Sequence, residues 1–258
     1  MDSVNKTLYI PLYGKSYVSK KGIILNDKMA EEMWTASGFT LRGKAASKWL
    51  AYYMGMRARV FDDWAKEQIK ANPDATILHL GCGLDSRIKR VGMASLWYDV
   101  DFPEVIAERK KYFTDGDGYT MLPCDIRDDG WVKSISGDTA IVIMEGISMY
   151  LTPSELSQLI ERIYGRFNKV NLLMDCYTTF AAKMSKIKNP INEVGVTTVY
   201  GMDDPDILTT CGMEYVKEHS MTPVELIDML PKNERKIFNL IYAGRVASNM
   251  YRLYEYKK

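Results

Sequence analysis

The sequence predicts an α/β fold built on a parallel sheet, and three observations lead to this prediction. Apolar strand-like runs and helical segments alternate from residue 76 to about residue 188. A glycine turn, Gly81-Cys82-Gly83, directly follows the first of these strands. The second strand ends in an acid, Asp101, which lies 20 residues after Gly81. Such alternation implies parallel strands joined by right-handed crossovers, with ligands bound at the carboxyl ends of the strands.

The residues before the first strand are expected to be helical and to lead into the sheet. Asn26-Asp27 can cap a helix that runs to about Ser37. An amphipathic stretch runs from Ser47 to Ala71, and Asn72-Pro73 ends it because proline disfavours a helical residue before it.

The elements that follow are placed by apolar runs and by the turn residues between them. We expect strands at residues 76–80, 96–100, 119–123, 139–144 and 170–175. Helices are expected at residues 84–91, 103–113, 128–135, 153–166 and 178–188. Further on we expect a helix over 203–211, a strand over 213–221, a short helix over 223–230 and a final strand over 250–256. Because no repeat or clear linker interrupts the sequence, residues 1–258 are expected to form one domain, with 1–72 as a helical lid and lead-in and 73–258 as the core.

Composition excludes several classes of protein. The 258 residues carry a formal net charge of +1, so nothing suggests a nucleic-acid or membrane-surface partner. The N-terminus lacks an apolar signal region, and no run of about 18 apolar residues occurs. The four cysteines lack C-x-x-C spacing and there are two histidines, which argues against a metal site or a disulfide framework. We therefore expect a cytoplasmic protein without a metal.

The strand, glycine turn, helix start and distant acid come in the order of a nucleoside-binding unit. Glycines let the backbone approach a ligand, and the carboxylate accepts hydrogen bonds from ribose hydroxyls. Both nicotinamide dinucleotides and S-adenosylmethionine use this geometry. A dinucleotide site requires a third glycine at the position where this chain has Ser86. In addition, Asp85 would repel a pyrophosphate at the helix N-terminus. The residues therefore favour S-adenosylmethionine, with an NAD-dependent enzyme as the alternative.

Polar residues follow four successive predicted strands, at the edge where open α/β sheets bind ligands. Gly81-Cys82-Gly83 would face the amino-acid part of the cofactor, and Asp101, followed by Phe102, would face the ribose diol. After the third strand comes Cys124-Asp125-Ile126, whose carboxylate can accept from an adenine amino group while the isoleucine lies on the ring. After the fourth comes Glu145-Gly146, which would face the reacting methyl group and the acceptor.

Several longer strings follow the order of one known family. They are Pro11-Leu-Tyr-Gly14, Leu25-Asn-Asp27, Arg57-Ala-Arg59-Val-Phe-Asp62, His79-Leu-Gly-Cys-Gly-Leu-Asp-Ser-Arg87, Asp99-Val-Asp-Phe-Pro-Glu-Val-Ile106 and Glu145-Gly-Ile-Ser-Met-Tyr-Leu151. Over about residues 8–180 the chain resembles the leucine carboxyl methyltransferase superfamily, in particular its bacterial branch of tetracenomycin-type polyketide O-methyltransferases. Ser86 and Ala58 stand where that family usually has threonine.

This resemblance implies a class I S-adenosylmethionine-dependent methyltransferase fold, which is Rossmann-like with a mostly parallel seven-stranded sheet and an N-terminal helical lid. It implies S-adenosyl-L-methionine as the cofactor. By position, Arg57 resembles the family's arginine that pairs with the methionine carboxylate, with Arg59 as a near neighbour. Lys15 corresponds loosely to a lysine of the lid that contacts the cofactor.

By the same resemblance, the strand-end residues take the remaining parts of the cofactor. Asp101 would bind the ribose, Asp125 with Ile126 the adenine, and Glu145 the methionine amine.

The expected reaction is O-methylation of a small-molecule acceptor of the polyketide or secondary-metabolite type. A carboxylate acceptor is already ionised at neutral pH, whereas a phenol, with a pKa near 10, needs deprotonation or electrostatic help. Because His79 lies in a predicted buried strand, an imidazole base is not expected, and Tyr150 is the candidate catalytic side chain on the acceptor side. A protein that binds S-adenosylmethionine without catalysis is a third alternative.

Overall fold

In the computed structural model the chain folds around a seven-stranded sheet. The structure describes residues 7–93, 95–185, 198–244, 247 and 249–258. The strands are β1 (Thr76–Leu80), β2 (Leu96–Asp101), β3 (Tyr119–Pro123), β4 (Thr139–Met144), β5 (Lys169–Tyr177), β6 (Glu214–Glu218) and β7 (Tyr251–Lys257). Their order is β3-β2-β1-β4-β5-β7-β6, and only β7 runs antiparallel to its neighbours. The predicted α/β class and mostly parallel sheet are confirmed.

The central strands are level at their carboxyl ends. Leu80 of β1 pairs with Val100 of β2 on one side and with Met144 of β4 on the other. β1 is buried along its whole length, as an apolar strand covered on both faces of a parallel sheet should be. The loops that leave β1, β2 and β4 therefore meet at one edge of the sheet.

The helices cover the two faces of the sheet and one end of it. They are α1 (Tyr9–Lys20), α2 (Lys28–Ser37), α3 (Lys48–Ala71), α4 (Arg87–Val91), α5 (Pro103–Arg109), α6 (Pro153–Arg166), α7 (Thr179–Ser185), α8 (Val224–Ile227) and α9 (Lys232–Phe238). Short 3₁₀ helices occupy Trp131–Ser134, Ser148–Tyr150 and Pro205–Cys211, and a π-helical turn follows α9 at Asn239–Ala243. None of the helices in the described ranges is long and apolar enough to cross a membrane.

The N-terminal helices are capped and packed as their sequence suggests. Asp27 accepts a hydrogen bond from Ala30 N–H (2.9 Å) at the start of α2, and the Ser47 hydroxyl accepts one from Trp49 N–H at the start of α3. α1 crosses α3 closely because Gly14 has no side chain there: a Cβ at this position would lie 2.6 Å from Met54 Cβ. This close crossing fixes α1 beside the carboxyl-terminal edge of the sheet.

Several predicted boundaries are corrected by local turns. The helix expected from residue 84 begins only at Arg87, because residues 82–86 continue the glycine turn. The helix expected at 128–135 is wrong: only four residues form a 3₁₀ helix, between Gly130 (φ +105°) and an extended Ile135. Residues 205–211 are likewise 3₁₀, and α5 ends at Arg109. Residues 186–188 of the helix expected at 178–188 lie outside the described residues.

Candidate active site

A cavity of about 890 Å³ opens at the carboxyl-terminal edge of β1, β2, β3 and β4. All four groups of strand-end residues named from the sequence line it, and α1 and α3 form the facing wall. Its volume lies in the range of small-molecule and cofactor pockets. The topology thus brings together residues that are separated by more than one hundred positions in the sequence.

The glycine turn after β1 needs glycine at two positions. Gly81 has φ +63° and Gly83 has φ +51°, a left-handed conformation that side chains disfavour. At Gly81 a Cβ would also lie 2.1 Å from the Ile147 side chain. Cys82 between them is buried, and burial raises the pKa of its thiol well above the ordinary value. Cys82 therefore lines the cavity as an unreactive group.

Both carboxylate oxygens of Asp101, at the end of β2, accept hydrogen bonds from backbone N–H groups. Oδ2 accepts from Gly83 N–H (2.7 Å) and Oδ1 from Phe102 N–H (2.8 Å). Burial raises the pKa of this carboxyl to about 6, against the effect of those hydrogen bonds. A carboxylate oriented in this way and facing a cavity suits a neutral donor such as a pair of hydroxyl groups.

The residues after β3 line the same cavity further along. Ile126 is buried and offers an apolar surface, while Cys124 is half-buried and its thiol pKa is raised to about 12 by burial. Asp125 is held by Arg127, whose Nε lies 2.9 Å from Oδ1. The hydrogen bond from that guanidinium lowers the pKa of Asp125, so this carboxylate stays ionised. Phe102 lines the cavity nearby.

Glu145, which follows β4, and Arg57 of α3 form a buried ion pair in the cavity wall. Arg57 Nη2 lies 3.1 Å from Glu145 Oε1, and Arg57 Nη1 donates to Asp175 Oδ2 over 2.9 Å. Arg87 also donates to Glu145. Burial opposes ionisation of Glu145, but Arg57 and Arg87 outweigh it and lower its pKa to about 2. Arg57 Nε is buried and has no hydrogen-bond partner among the described residues, so one donor of this guanidinium is unsatisfied.

Gly146 allows Arg57 to lie against the turn after β4. It has φ +75°, and a Cβ on it would lie 3.3 Å from Arg57 Nη1. Its N–H donates to Asp175 Oδ1 over 2.6 Å. The backbone of this turn and the guanidinium are therefore fixed by the same carboxylate.

The charge of Asp85 corrects one step of the sequence argument. Lys15 Nζ of α1 lies 3.2 Å from Asp85, and Arg87 and Arg90 also pair with it. Although Asp85 is buried, these cations lower its pKa well below the ordinary value. Because three cations match it, this carboxylate does not by itself repel a pyrophosphate. The same contact places Lys15 in the wall of the cavity.

The structure separates the two arginines that the sequence placed together. Arg57 lies in the cavity wall, whereas Arg59 is absent from it and is about one third exposed. Arg59 Nε donates to Asp63 (2.8 Å) and Nη1 to the carbonyl of Ile24 (2.9 Å). Its expected role beside the methionine carboxylate has no support in this placement.

The far end of the cavity is lined by aromatic and methionine side chains. Tyr53 of α3 contacts Tyr251 of β7 (ring centroids 5.8 Å apart) and Tyr242 (5.3 Å), and Tyr177 meets Tyr251 edge to face at 4.5 Å. Tyr150 lies at this end and shares a hydrogen bond with the Thr7 side chain; burial raises its pKa. Because its pKa is raised, the Tyr150 phenol stays protonated and can donate a hydrogen bond.

Both histidines are engaged by protein groups, although His79 is one of the residues that line the cavity. His79 Nδ1 lies 2.9 Å from Asp99 and its Nε2 lies 3.3 Å from Arg87, so both ring nitrogens face protein groups. His219 pairs with Glu255 across β6 and β7 and does not line the cavity. Among the described residues, no group of three or more His, Cys, Asp or Glu could hold a metal ion.

Two residues that hold the turns of the site from outside the cavity lining were missed from the sequence. Asp175 ends the apolar run of β5, the same strand-end signal that identified Asp101 and Glu145, so the pattern could have found it. Arg109, at the end of α5, donates to the carbonyl groups of Gly83 and Asp85. Nothing in its local sequence marks that role.

The donor set fits a zwitterionic nucleoside. Arg57 Nε is a donor without a partner among the described residues, which suits a carboxylate. The ionised Glu145 suits an ammonium group, and the Asp101 carboxylate suits ribose hydroxyls. Ile126 and Phe102 supply apolar surface for a base. These groups occur along one cavity in that spatial order, from the end of β4 to the end of β3.

Comparisons with known proteins agree with this geometry. The model of a family described as leucine carboxyl methyltransferase matches residues 7–164, more than half of the chain. The chain is 27% identical over 228 residues to the tetracenomycin polyketide synthesis O-methyltransferase TcmP of Streptomyces glaucescens, covering 86% of this chain and 84% of that protein. It is 27% identical over 236 residues to an S-adenosyl-L-methionine-dependent methyltransferase of Gibberella zeae, covering 81% and 79%.

The fold is also similar to that of a solved structure. Magnesium protoporphyrin IX methyltransferase from Synechocystis, with bound SAH, superposes with a TM-score of 0.53 at 14% identity. The match covers 95% of this chain and 97% of that one. At this identity the likeness bears on the fold, and it confirms the predicted Rossmann-like class.

Proposed function

The chain belongs to the leucine carboxyl methyltransferase family, and on that premise we propose that it transfers a methyl group from S-adenosyl-L-methionine to an oxygen of a small molecule. The acceptor oxygen belongs to a carboxylate or a phenolic hydroxyl, and the acceptor is of the polyketide or secondary-metabolite type, as in the name of one relative. The enzyme is thus an S-adenosylmethionine-dependent methyltransferase, a transferase, and the NAD-dependent alternative is not supported.

The observation that carries the proposal is the order of donors and acceptors along one cavity. We assign Arg57 Nε to the methionine carboxylate, Glu145 to the amine and Asp101 to the ribose hydroxyls. Asp125, Ile126 and Cys124 would surround the adenine, while the turns at Gly81-Cys82-Gly83 and Gly146 let the backbone approach the ligand. Lys15 supports this arrangement through Asp85.

When bound, S-adenosylmethionine supplies an electrophilic methyl group, which an acceptor oxygen attacks in line. The protein's part is positioning and exclusion of water. The tyrosines at the far end of the cavity offer faces for an apolar acceptor and hydroxyl groups that can orient its oxygen. Tyr150 is our candidate for that contact.

The absence of a free imidazole favours acceptors that need little help to ionise. His79 and His219 are both engaged by protein carboxylates. A carboxylate acceptor needs no base, whereas an ordinary phenol would need one. We therefore expect carboxylates, or phenols of lowered pKa, to react fastest.

Three further expectations belong to this proposal. The N-terminal region, residues 1–72, would serve as a lid over the cofactor, since α1 and α3 form one wall of the cavity. The whole chain, residues 1–258, would act as one domain. The protein would work in the cytoplasm on a small molecule, without a nucleic-acid or membrane partner.

The test is transfer of label from methyl-labelled S-adenosylmethionine to matched acceptors. Each pair of acceptors would share one aromatic ring and differ in carrying a carboxylate or a hydroxyl. Alkali releases label from methyl esters but leaves methyl ethers intact, so one treatment separates the two acceptor classes. Calorimetry with S-adenosylmethionine, S-adenosylhomocysteine and NAD accompanies the assay.

We expect saturable binding of both sulfur nucleosides, no binding of NAD and labelled product with at least one acceptor. Binding of NAD alone would overturn the proposal. Binding of the sulfur nucleosides without transfer to any acceptor would indicate a non-catalytic binding protein.

A further inference from the structure

A buried arginine outside the cavity wall donates hydrogen bonds to the glycine turn after β1. Arg109, at the last position of α5, is fully buried. Its Nη1 donates to the carbonyl oxygen of Gly83 over 3.1 Å and to that of Asp85 over 2.6 Å. Both carbonyls belong to the turn between β1 and α4, so one guanidinium nitrogen closes the turn on its inner side.

Gly83 is therefore fixed through both of its backbone polar groups. Its N–H donates to Asp101 Oδ2 over 2.7 Å, while its carbonyl accepts from Arg109. Gly83 has φ +51°, and because glycine has no Cβ, its backbone can adopt many other conformations. The two hydrogen bonds therefore restrict it to this one. Movement of this residue would also release Asp101, because Gly83 N–H orients one of the two carboxylate oxygens.

The guanidinium is itself held rigidly. Arg109 Nη2 donates to Asp99, and Nε donates to the Tyr119 hydroxyl over 3.2 Å. The Tyr119 hydroxyl in turn donates to Asp99 (2.6 Å), and the ring of Phe113 lies 4.2 Å from the guanidinium carbon. Burial alone would raise the pKa of Asp99, but Arg109, His79 and Tyr119 together outweigh it and lower that pKa. The arginine and its partner are both ionised.

We infer that Arg109 is a positioning residue for the cofactor: it holds Gly83 so that Asp101 receives the ribose. The inference rests on the proposed function, since it assigns a role at the proposed nucleoside site. Arg109 acts on the nucleoside half of the ligand, whereas Arg57 acts on the methionine half. Adenosine, which has the nucleoside half but not the methionine half, therefore distinguishes the effects of the two arginines.

The experiment compares Arg109→Lys with Arg166→Lys. Arg166 is the control: it is half-buried where Arg109 is fully buried, but it also donates to two backbone carbonyls of one loop, those of Gly137 and Ile135, and also lies against a phenylalanine ring. It does not line the cavity. Lysine keeps the charge beside Asp99 but replaces the planar fork by a single ammonium group, which cannot serve the same set of acceptors.

Dissociation constants for S-adenosylmethionine, S-adenosylhomocysteine and adenosine would be measured on each folded variant. For Arg109→Lys we expect all three ligands to weaken by one common factor of roughly tenfold, about the contribution of one hydrogen bond to the charged Asp101. The KM for the acceptor should be unchanged at saturating cofactor. Arg166→Lys should bind all three ligands as the unsubstituted protein does.

The outcomes separate the inference from the function on which it rests. If the unsubstituted protein binds neither S-adenosylmethionine nor adenosine, both the proposed function and this inference fail. If it binds them and Arg109→Lys binds them equally well, only the inference fails. If Arg109→Lys lost affinity for S-adenosylmethionine but not for adenosine, the inference would also be overturned. Should Arg109→Lys not fold, the pair Asp99→Asn with Arg109→Met removes both charges together and is tested with the same ligands.

Discussion

Arg57 and Asp175 are joined by a buried hydrogen-bonded ion pair, with Nη1 of the arginine 2.9 Å from Oδ2 of the aspartate. The pair connects α3, in the N-terminal region, to the carboxyl end of β5 in the sheet. Asp175 is fully buried, and its other oxygen accepts from the N–H of Gly146. This one carboxylate therefore sets both the side chain that we assign to the methionine carboxylate and the backbone of the turn that carries Glu145.

The first prediction concerns Asp175→Asn. An amide keeps the shape but loses the charge, and its NH₂ group cannot accept from Arg57 or from Gly146, so Arg57 is no longer held from two sides. We expect affinity for S-adenosylmethionine to fall by about tenfold, since a hydrogen bond to a charged group contributes roughly 1.5–3 kcal/mol. Adenosine, which lacks the methionine part, should bind unchanged in the same calorimetric titration.

Asp63→Asn is the matched control for this change. Asp63 also pairs with an arginine of α3, but it is only half-buried and lies outside the cavity wall. It should leave both ligands unaffected. Equal affinities of Asp175→Asn and the unsubstituted protein for S-adenosylmethionine would show that Asp175 has no part in positioning Arg57.

The second prediction compares Arg57→Lys with Arg59→Lys. Lysine at position 57 keeps a positive charge between Glu145 and Asp175 but loses the Nε donor that we assign to the ligand carboxylate. S-adenosylmethionine should weaken by at least about tenfold, the loss expected for one charge-assisted hydrogen bond. Adenosine should weaken little, and Arg59→Lys should match the unsubstituted protein with both ligands. A comparable loss in Arg59→Lys would contradict the assignment.

The third prediction is a dependence of cofactor affinity on pH through Asp101. Only the ionised carboxylate accepts from both ribose hydroxyls, so binding favours ionisation and affinity is fully present above the pKa of about 6. Affinity should fall as pH decreases through that value, by up to about tenfold per pH unit for one proton. Titrations between about pH 8 and about pH 5 measure this. In Asp101→Asn the affinity should be lower and nearly independent of pH over that range.

The burial of Asp101 also affects the stability of the free protein, and this effect depends on pH in the opposite direction from cofactor affinity. Because the folded pKa of Asp101 lies above the ordinary value of 3.8, folding favours its protonated form. Its contribution to the free energy of unfolding is therefore largest at low pH and decreases as pH rises between these two values.

One outcome would contradict the binding prediction. If the affinity for S-adenosylmethionine increased on acidification, Asp101 would be excluded as the ribose acceptor.

The strand ends were predictable because they follow from local patterns. Strands β1, β3 and β4 occur at the predicted residues since each is an apolar run bounded by turn residues. Parallel topology then carries their ends to one edge, so the placement of Gly81, Asp101 and Glu145 in one cavity follows from the sequence order of the strands.

The pairing of buried charges was not predictable in the same way. Arg57 and Arg59 are two residues apart on one helix, which separates them by about 200° around its axis. The choice between them depends on which face of α3 meets the sheet, and the sequence string contains both. Asp175 lies 118 residues from its partner Arg57, and Arg109 acts on a turn 24 residues away. Such long-range pairs are set by tertiary packing.

The last prediction concerns Gly81→Ala, with Gly22→Ala as its control. Both glycines have left-handed backbones, Gly81 with φ +63° and Gly22 with φ +66°. At Gly22 nothing lies within 4 Å of an added Cβ, so that variant measures the conformational cost alone, roughly 1–2 kcal/mol of the free energy of unfolding. At Gly81 the Cβ would lie 2.1 Å from Ile147 Cγ2, in the loop that follows Glu145-Gly146.

Gly81→Ala therefore pushes the turn after β1 away from the turn after β4, and these two turns bound the cofactor end of the cavity. We expect it to destabilise the protein more than Gly22→Ala in denaturant titration and to abolish measurable binding of S-adenosylmethionine, whereas Gly22→Ala retains normal affinity. Shortening the neighbour in the double variant Gly81→Ala with Ile147→Ala should restore part of the binding, because the clash is with that side chain. If Gly81→Ala binds S-adenosylmethionine normally, the two turns do not enclose the cofactor.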